Sequence, residues 1–161
     1  MNKKFLGIFA ALVVLGSTGA FASAAIGLQG GYSPAGDYAG FNGALTFKLS
    51  SVPAVFAANV SMSGNELNSI ALQGDWWVSN PKLAGMFHYF YGPGFAVGVY
   101  GVSSNPGLYA AFRAVGGVNL FVVKPLELYL QAAWQPGVYV GNTLSWDVLC
   151  FPIQFGFRFW F

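Results

Sequence analysis

From Ile26 onward, apolar and polar residues alternate with a period of two, the repeat of a strand whose successive side chains point to opposite faces. Clusters of Gly, Pro, Asn and Ser interrupt this alternation. They lie at Ser33-Pro34-Ala35-Gly36, Ser50-Ser51-Val52-Pro53, Ser63-Gly64-Asn65, Ser79-Asn80-Pro81, Ser103-Ser104-Asn105-Pro106-Gly107, Lys124-Pro125 and Gly141-Asn142. The spacing predicts strands near 26–32, 40–50, 54–62, 67–78, 84–100, 108–121, 126–139 and 150–161. The breaks are too short for crossover helices, so the segments are expected to run as hairpins in an antiparallel up-and-down meander.

Each segment has one apolar and one mixed face. In the second, Phe41, Gly43, Leu45, Phe47 and Leu49 oppose Asn42, Ala44, Thr46 and Lys48. In the sixth, Leu108, Ala110, Phe112, Ala114 and Val118 oppose Tyr109, Ala111, Arg113 and Asn119, and in the seventh Leu126, Leu128, Leu130 and Trp134 oppose Glu127, Tyr129, Gln131 and Gln135. The last sets Phe151, Ile153, Phe155, Phe157, Phe159 and Phe161 against Gln154, Gly156, Arg158 and Trp160.

A soluble sandwich alternates in the same way, but its outward face carries many charges. This chain is 55% hydrophobic, 18% aromatic and only 7% charged, and its polar faces are rich in Gly, Ala and Asn. After Ala25, no apolar run approaches the roughly 20 residues that a membrane-spanning helix needs. Apolar overall yet nowhere continuously apolar is the pattern of a lipid-facing barrel around a narrow packed lumen. Closure also removes sheet edges that lipid cannot satisfy. The expected fold is therefore all-β: a closed antiparallel up-and-down transmembrane β-barrel of about eight strands.

The N-terminus differs. Asn2, Lys3 and Lys4 form a basic start, Phe5 to Leu15 an apolar stretch, and Ala22-Ser23-Ala24 an A-x-A end. Residues 1–24 are read as a cleaved secretory signal peptide and 25–161 as the barrel. Lys3 and Lys4 account for the formal charge of +2: without those two, the 7 basic residues fall to 5, equal to the 5 acidic ones. The basic balance therefore gives no reason to expect nucleic acid as a partner. Cys150 is the single cysteine, so it can form no intramolecular disulfide, and it does not follow the leader as a lipoprotein cysteine would. A buried, inert thiol is expected.

The run Phe-Gly-Phe-Arg-Phe-Trp-Phe at 155–161 resembles the C-terminal strand of bacterial outer-membrane barrels, with alternating aromatics ending in Phe. With the leader and the strand count, the chain resembles small eight-stranded barrels such as the OmpA transmembrane domain. It is also similar to short spirochaetal outer-membrane barrels, in which a Tyr-Gly-x-Gly strand precedes one containing Arg-x-x-x-Gly. Here these are Tyr91-Gly92-Pro93-Gly94 and Arg113 to Gly117. The resemblance implies export to the outer membrane of a Gram-negative-type bacterium, with outer-membrane lipid, periplasmic chaperones and the barrel assembly machinery as partners. Phe155, Phe157, Phe159 and Phe161 would be the assembly signal. Nothing follows Phe161, so no peptidoglycan-binding domain is expected.

Following the alternation inward gives a polar set of Lys48, Asn59, Asp75, His88, Arg113, Glu127, Gln131, Gln154 and Arg158. An eight-stranded lumen is filled by its own side chains, and charges there need partners. Arg113 and Arg158 are expected to meet Glu127 and Asp75.

His88 is the single histidine and has no Ser at a short strand spacing, so no catalytic site is expected. Neither a metal site, a phosphate loop nor a cofactor is expected. Trp76, Trp77, Tyr89, Tyr91, Trp134, Tyr139 and Trp146 lie near strand ends, and some should form interfacial girdles. The function that follows is a structural role in the envelope, with or without weak passage of water or small solutes. A porin-like channel, a surface interaction protein or adhesin, and a soluble lipid-binding barrel stay open as alternatives.

Overall fold

The computed structural model describes residues 23–34, 40–63, 66–103 and 105–161. The expected leader lies outside them except for Ser23 and Ala24, and so do 35–39, 64–65 and Ser104 of the expected turns. The strands are β1 (Ala24–Ser33), β2 (Gly40–Leu49), β3 (Ala54–Ser63), β4 (Glu66–Trp76), β5 (Lys82–Ala84), β6 (Phe87–Tyr100), β7 (Gly107–Val123), β8 (Leu126–Trp134), β9 (Gly137–Val140), β10 (Leu144–Asp147) and β11 (Ile153–Trp160).

Neighbours pair antiparallel in the order β1-β2-β3-β4-β6-β7-β8-β11, and β11 pairs back with β1, closing an eight-stranded barrel. The remaining strands prolong walls already present. β9 carries β8's wall along β7 past Gln135-Pro136, and β10 pairs with β9 beyond the break at 148–152. β5 folds onto the start of β6. Pro136 has no N–H to give the ladder, but its carbonyl accepts from Phe112 N at 3.0 Å, so the wall continues through the break. The predicted segments 126–139 and 150–161 are thus interrupted or shortened near Pro136 and Pro152, and 67–78 ends at Trp76.

The register fixes the stagger. Starting at Tyr129 and stepping strand by strand through Gly156, Gln29, Ala44, Asn59, Ala71, Gly98 and Tyr109 leads back to the starting wall at Tyr139. The offset is ten residues (139 − 129). At about 3.3 Å per residue and 4.8 Å between strands, that stagger tilts the strands by about 40° and sets a backbone radius of about 8 Å. Such a lumen is filled by its own side chains.

The two faces differ as the alternation requires. Phe41, Leu72, Phe155 and Leu108 are exposed on the outside, at 72%, 62%, 66% and 63%. Thr46, Arg113, Asn119, Glu127 and Arg158 are buried on the inside. The barrel is apolar outside and polar within.

Candidate functional site: the packed lumen

The inner residues stack in layers along the barrel axis. At the end where the first and last strands meet, Glu127 on β8 gathers four partners. Its Oε2 accepts from Arg158 Nη1 at 3.3 Å and from Trp160 Nε1 at 2.9 Å. Its Oε1 accepts from Asn119 Nδ2 at 3.0 Å and lies 3.6 Å from Lys48 Nζ.

Next comes a layer of rings. Trp77, just past the end of β4, stacks on Phe90 with centroids 3.6 Å apart, and both belong to a buried cluster with Val55, Val115, Tyr129 and Ala133. The cations of the first layer sit on these rings: Lys48 Nζ lies 3.8 Å above Trp77 and the Arg158 guanidinium 3.9 Å above Tyr129.

Midway along the lumen lies the second charged layer. Arg113 Nε donates to Asp75 Oδ1 at 2.8 Å, and Nη2 donates to Asp75 Oδ2 at 3.3 Å and to Gln154 Oε1 at 3.1 Å. Arg113 Nη1 also donates to Gln135. Glutamines complete the layer: Gln73 Nε2 donates to Asp75 Oδ2 at 2.6 Å and Gln131 Nε2 to Gln154 Oε1 at 2.8 Å. Asn59 Nδ2 donates to Gln73 Oε1 at 3.0 Å.

Beyond this layer the lumen opens into a cup of about 70 Å³, lined by Asn42, Asn59, Ser69, Tyr109, Tyr139 and Cys150 among others. It has room for about five waters. The side-chain oxygens of Asn42 and Asn59 find no protein donor there. Cys150 is buried, with Sγ 3.7 Å from Ser33 Oγ.

The structure therefore places Lys48, Glu127 and Arg158 in one layer and Asp75, Arg113, Gln131, Asn59 and Gln154 in the other. Each arginine has its own acid: Arg113 takes Asp75 and Arg158 takes Glu127. His88 joins neither layer. It lies on the inner row with Lys82 and Asn119 as strand neighbours, and its Nδ1 has no partner among the described residues.

Trp77 and Tyr139, read from sequence as girdle candidates at strand ends, are instead buried in the lumen at 3% and 1% exposure. Trp76, Tyr89, Tyr91, Trp134 and Trp146 are on the outer face. Phe155, Phe157, Phe159 and Phe161 all lie outward and exposed.

The sequence placed Asn119 and Gln135 on the polar faces without marking them as lumen partners, and it did not single out Gln29 and Gln73, or Trp77 and Phe90 as lumen filling. Strict alternation from Asp75 assigns Trp77 inward, so the signal was present. Among the described residues, no three His, Cys, Asp or Glu side chains gather as a metal would require. No family model, curated protein or solved structure matches the chain at a significant level.

Proposed function

We propose that the protein is an integral outer-membrane β-barrel with a structural role in the envelope and a lumen closed to ions. The observation that carries this reading is its inverted polarity. The outer wall presents Phe41, Leu72, Phe112, Leu130 and Phe155, while Lys48, Arg113, Arg158, Asp75, Glu127 and Asp147 are sequestered inside. An apolar surface on this scale is far larger than the patch of a few hundred Å² that a soluble monomer tolerates, and lipid is the solvent that suits it. Closure supports the same reading, since an open sheet edge could not be satisfied in hydrocarbon.

The terminal aromatic strand supports an outer-membrane address and recognition by the assembly machinery. The eight strands and filled lumen support likeness to small barrels of the OmpA transmembrane type. The stacked pair Trp77–Phe90 between two charged layers supports a structural role over a porin-like one, because ions would have to pass a layer filled by buried rings.

The test has two readouts. The protein should fractionate with the outer membrane and migrate as a compact species on unheated gels. In planar bilayers it should be silent relative to a heat-denatured control. Stepwise openings would replace the structural role with a channel. A soluble periplasmic fraction would remove the membrane reading altogether.

A further inference from the structure

The charge in the Glu127 layer does not balance. Lys48 and Arg158 both direct their charge to Glu127. Asp75 is occupied by Arg113 in the next layer. Two cations therefore share one carboxylate, and the layer is almost dry, with Glu127 and Arg158 at 0% exposure and Lys48 at 8%. Arg158 uses only Nη1 on Glu127; its Nε and Nη2 have no acceptor in hydrogen-bond geometry.

The rings beneath offset part of the excess. Cation–π contacts contribute about 2 kcal/mol when desolvated, whereas the effective penalty for a desolvated ion is several kcal/mol and an unpaired guanidinium N–H adds its own. The rings offset charge but offer no hydrogen-bond acceptor in line with Arg158 Nε and Nη2. Lys48 is the least buried charged member of the layer, and Trp160 at the terminal mouth is only partly buried, so that end is where the layer comes nearest to solvent.

We propose that this layer binds one small monoatomic anion of the chloride class. It would sit between Lys48 Nζ and the free Nε and Nη2 of Arg158, entering from the mouth formed by the strand ends beside the termini. The anion brings the layer to two cations and two anions and supplies the acceptor that Arg158 lacks. The site requires only the closed lumen and is independent of where the barrel resides.

The experiment is thermal unfolding of the full chain in non-ionic detergent, in sodium chloride and in sodium gluconate at matched ionic strength. Chloride should raise the midpoint by about 5–10 °C, the shift expected when a ligand reaches a hundredfold excess over its dissociation constant. Bromide should substitute for it. Lys48→Met leaves the Arg158–Glu127 pair balanced, so it should abolish the halide-specific rise. Equal midpoints in chloride and gluconate would overturn the proposal, as would a rise that persists in Lys48→Met. If the layer instead balances itself by releasing the Lys48 proton, no halide dependence will be seen. Should Lys48→Met fail to fold, anomalous scattering from a bromide-soaked crystal of the native protein decides. A peak in contact with Lys48 and Arg158 is expected, and its absence refutes the site.

Discussion

Arg113 on β7 and Asp75 on β4 join across the strand between them, and the residue in register with both is Gly94 on β6. A methyl group there would run into Asp75 Oδ1, and its other near neighbour, the Gly74 carbonyl, is only 2.7 Å away. The ion pair exists because β6 offers no side chain at that point. Gly94→Ala should therefore cost about 2–4 kcal/mol, approaching the loss from breaking a buried pair. Gly43→Ala is the control, because its nearest neighbour would be 3.9 Å away. It should fall within about 0.5 kcal/mol of the native protein in urea unfolding.

The same arrangement recurs at the seam. Tyr129 on β8 donates to Gln29 Oε1 on β1 at 2.9 Å, passing over Gly156 on β11, which is in register with both. Tyr129→Phe keeps the ring under Arg158 but strips Gln29 of its donor. The expected loss is about 1–3 kcal/mol, the cost of an unsatisfied buried acceptor. Unfolding midpoints of Tyr129→Phe and of the double variant with Gln29→Leu test this: the double variant should recover part of the loss.

Removing Trp77 should both weaken and open the barrel. Trp77→Ala deletes the ring that fills the space beside Phe90 and lies under Lys48. A loss of about 3–5 kcal/mol is expected from the cavity. In planar bilayers the variant should show brief openings where the native barrel is silent. A silent Trp77→Ala barrel of native compactness would mean that the charged layers alone block ions.

Glu127 and Lys48 should respond asymmetrically to neutralisation. Glu127→Gln leaves Lys48 and Arg158 facing each other without a carboxylate and should cost about 3–5 kcal/mol. Lys48→Met removes a charge already in excess and should cost far less. Combining the two should be less damaging than the sum of the single changes, with the coupling read from a double-mutant cycle.

Cys150 reports on access to the cup. It is 3% exposed at the side of a chamber with room for only a few waters. The folded protein should resist maleimide over hours, and the urea-unfolded protein should react within minutes. Fast labelling of the folded state would mean that the break at 148–152 opens.

The inward placement of Lys48, Asp75, Arg113, Glu127 and Arg158 was legible because alternation has only two phases and the apolar phase of each strand is unmistakable. Which acid each arginine takes was not. Asp75 and Arg113 meet only because register and stagger bring β4 and β7 together over Gly94, and those depend on turn geometry and bulges that leave no local mark. The burial of Trp77 and Tyr139 was missed for a different reason. Both fall in the last residues of the expected strands 67–78 and 126–139, where an aromatic side chain reads as an interfacial girdle, yet the inward phase continues there: Ser79 still bridges to Tyr91 and Tyr139 pairs with Tyr109. At Trp77 the strand period outlasts β4, which ends at Trp76.

The ten-residue stagger also makes the seam self-proofreading. β1 and β11 come from opposite ends of the chain and meet only when the cylinder shuts. A slip of one residue at that seam would turn Arg158 toward the outer face and bring Phe157 and Phe159 inside. A slip of two would keep the faces but carry Gln29 away from Gly156 and Tyr129, leaving buried polar groups unmatched. The interior thus acts as a combination lock on insertion: lipid rejects the slips that exchange the faces, and only the lumen distinguishes those that keep them.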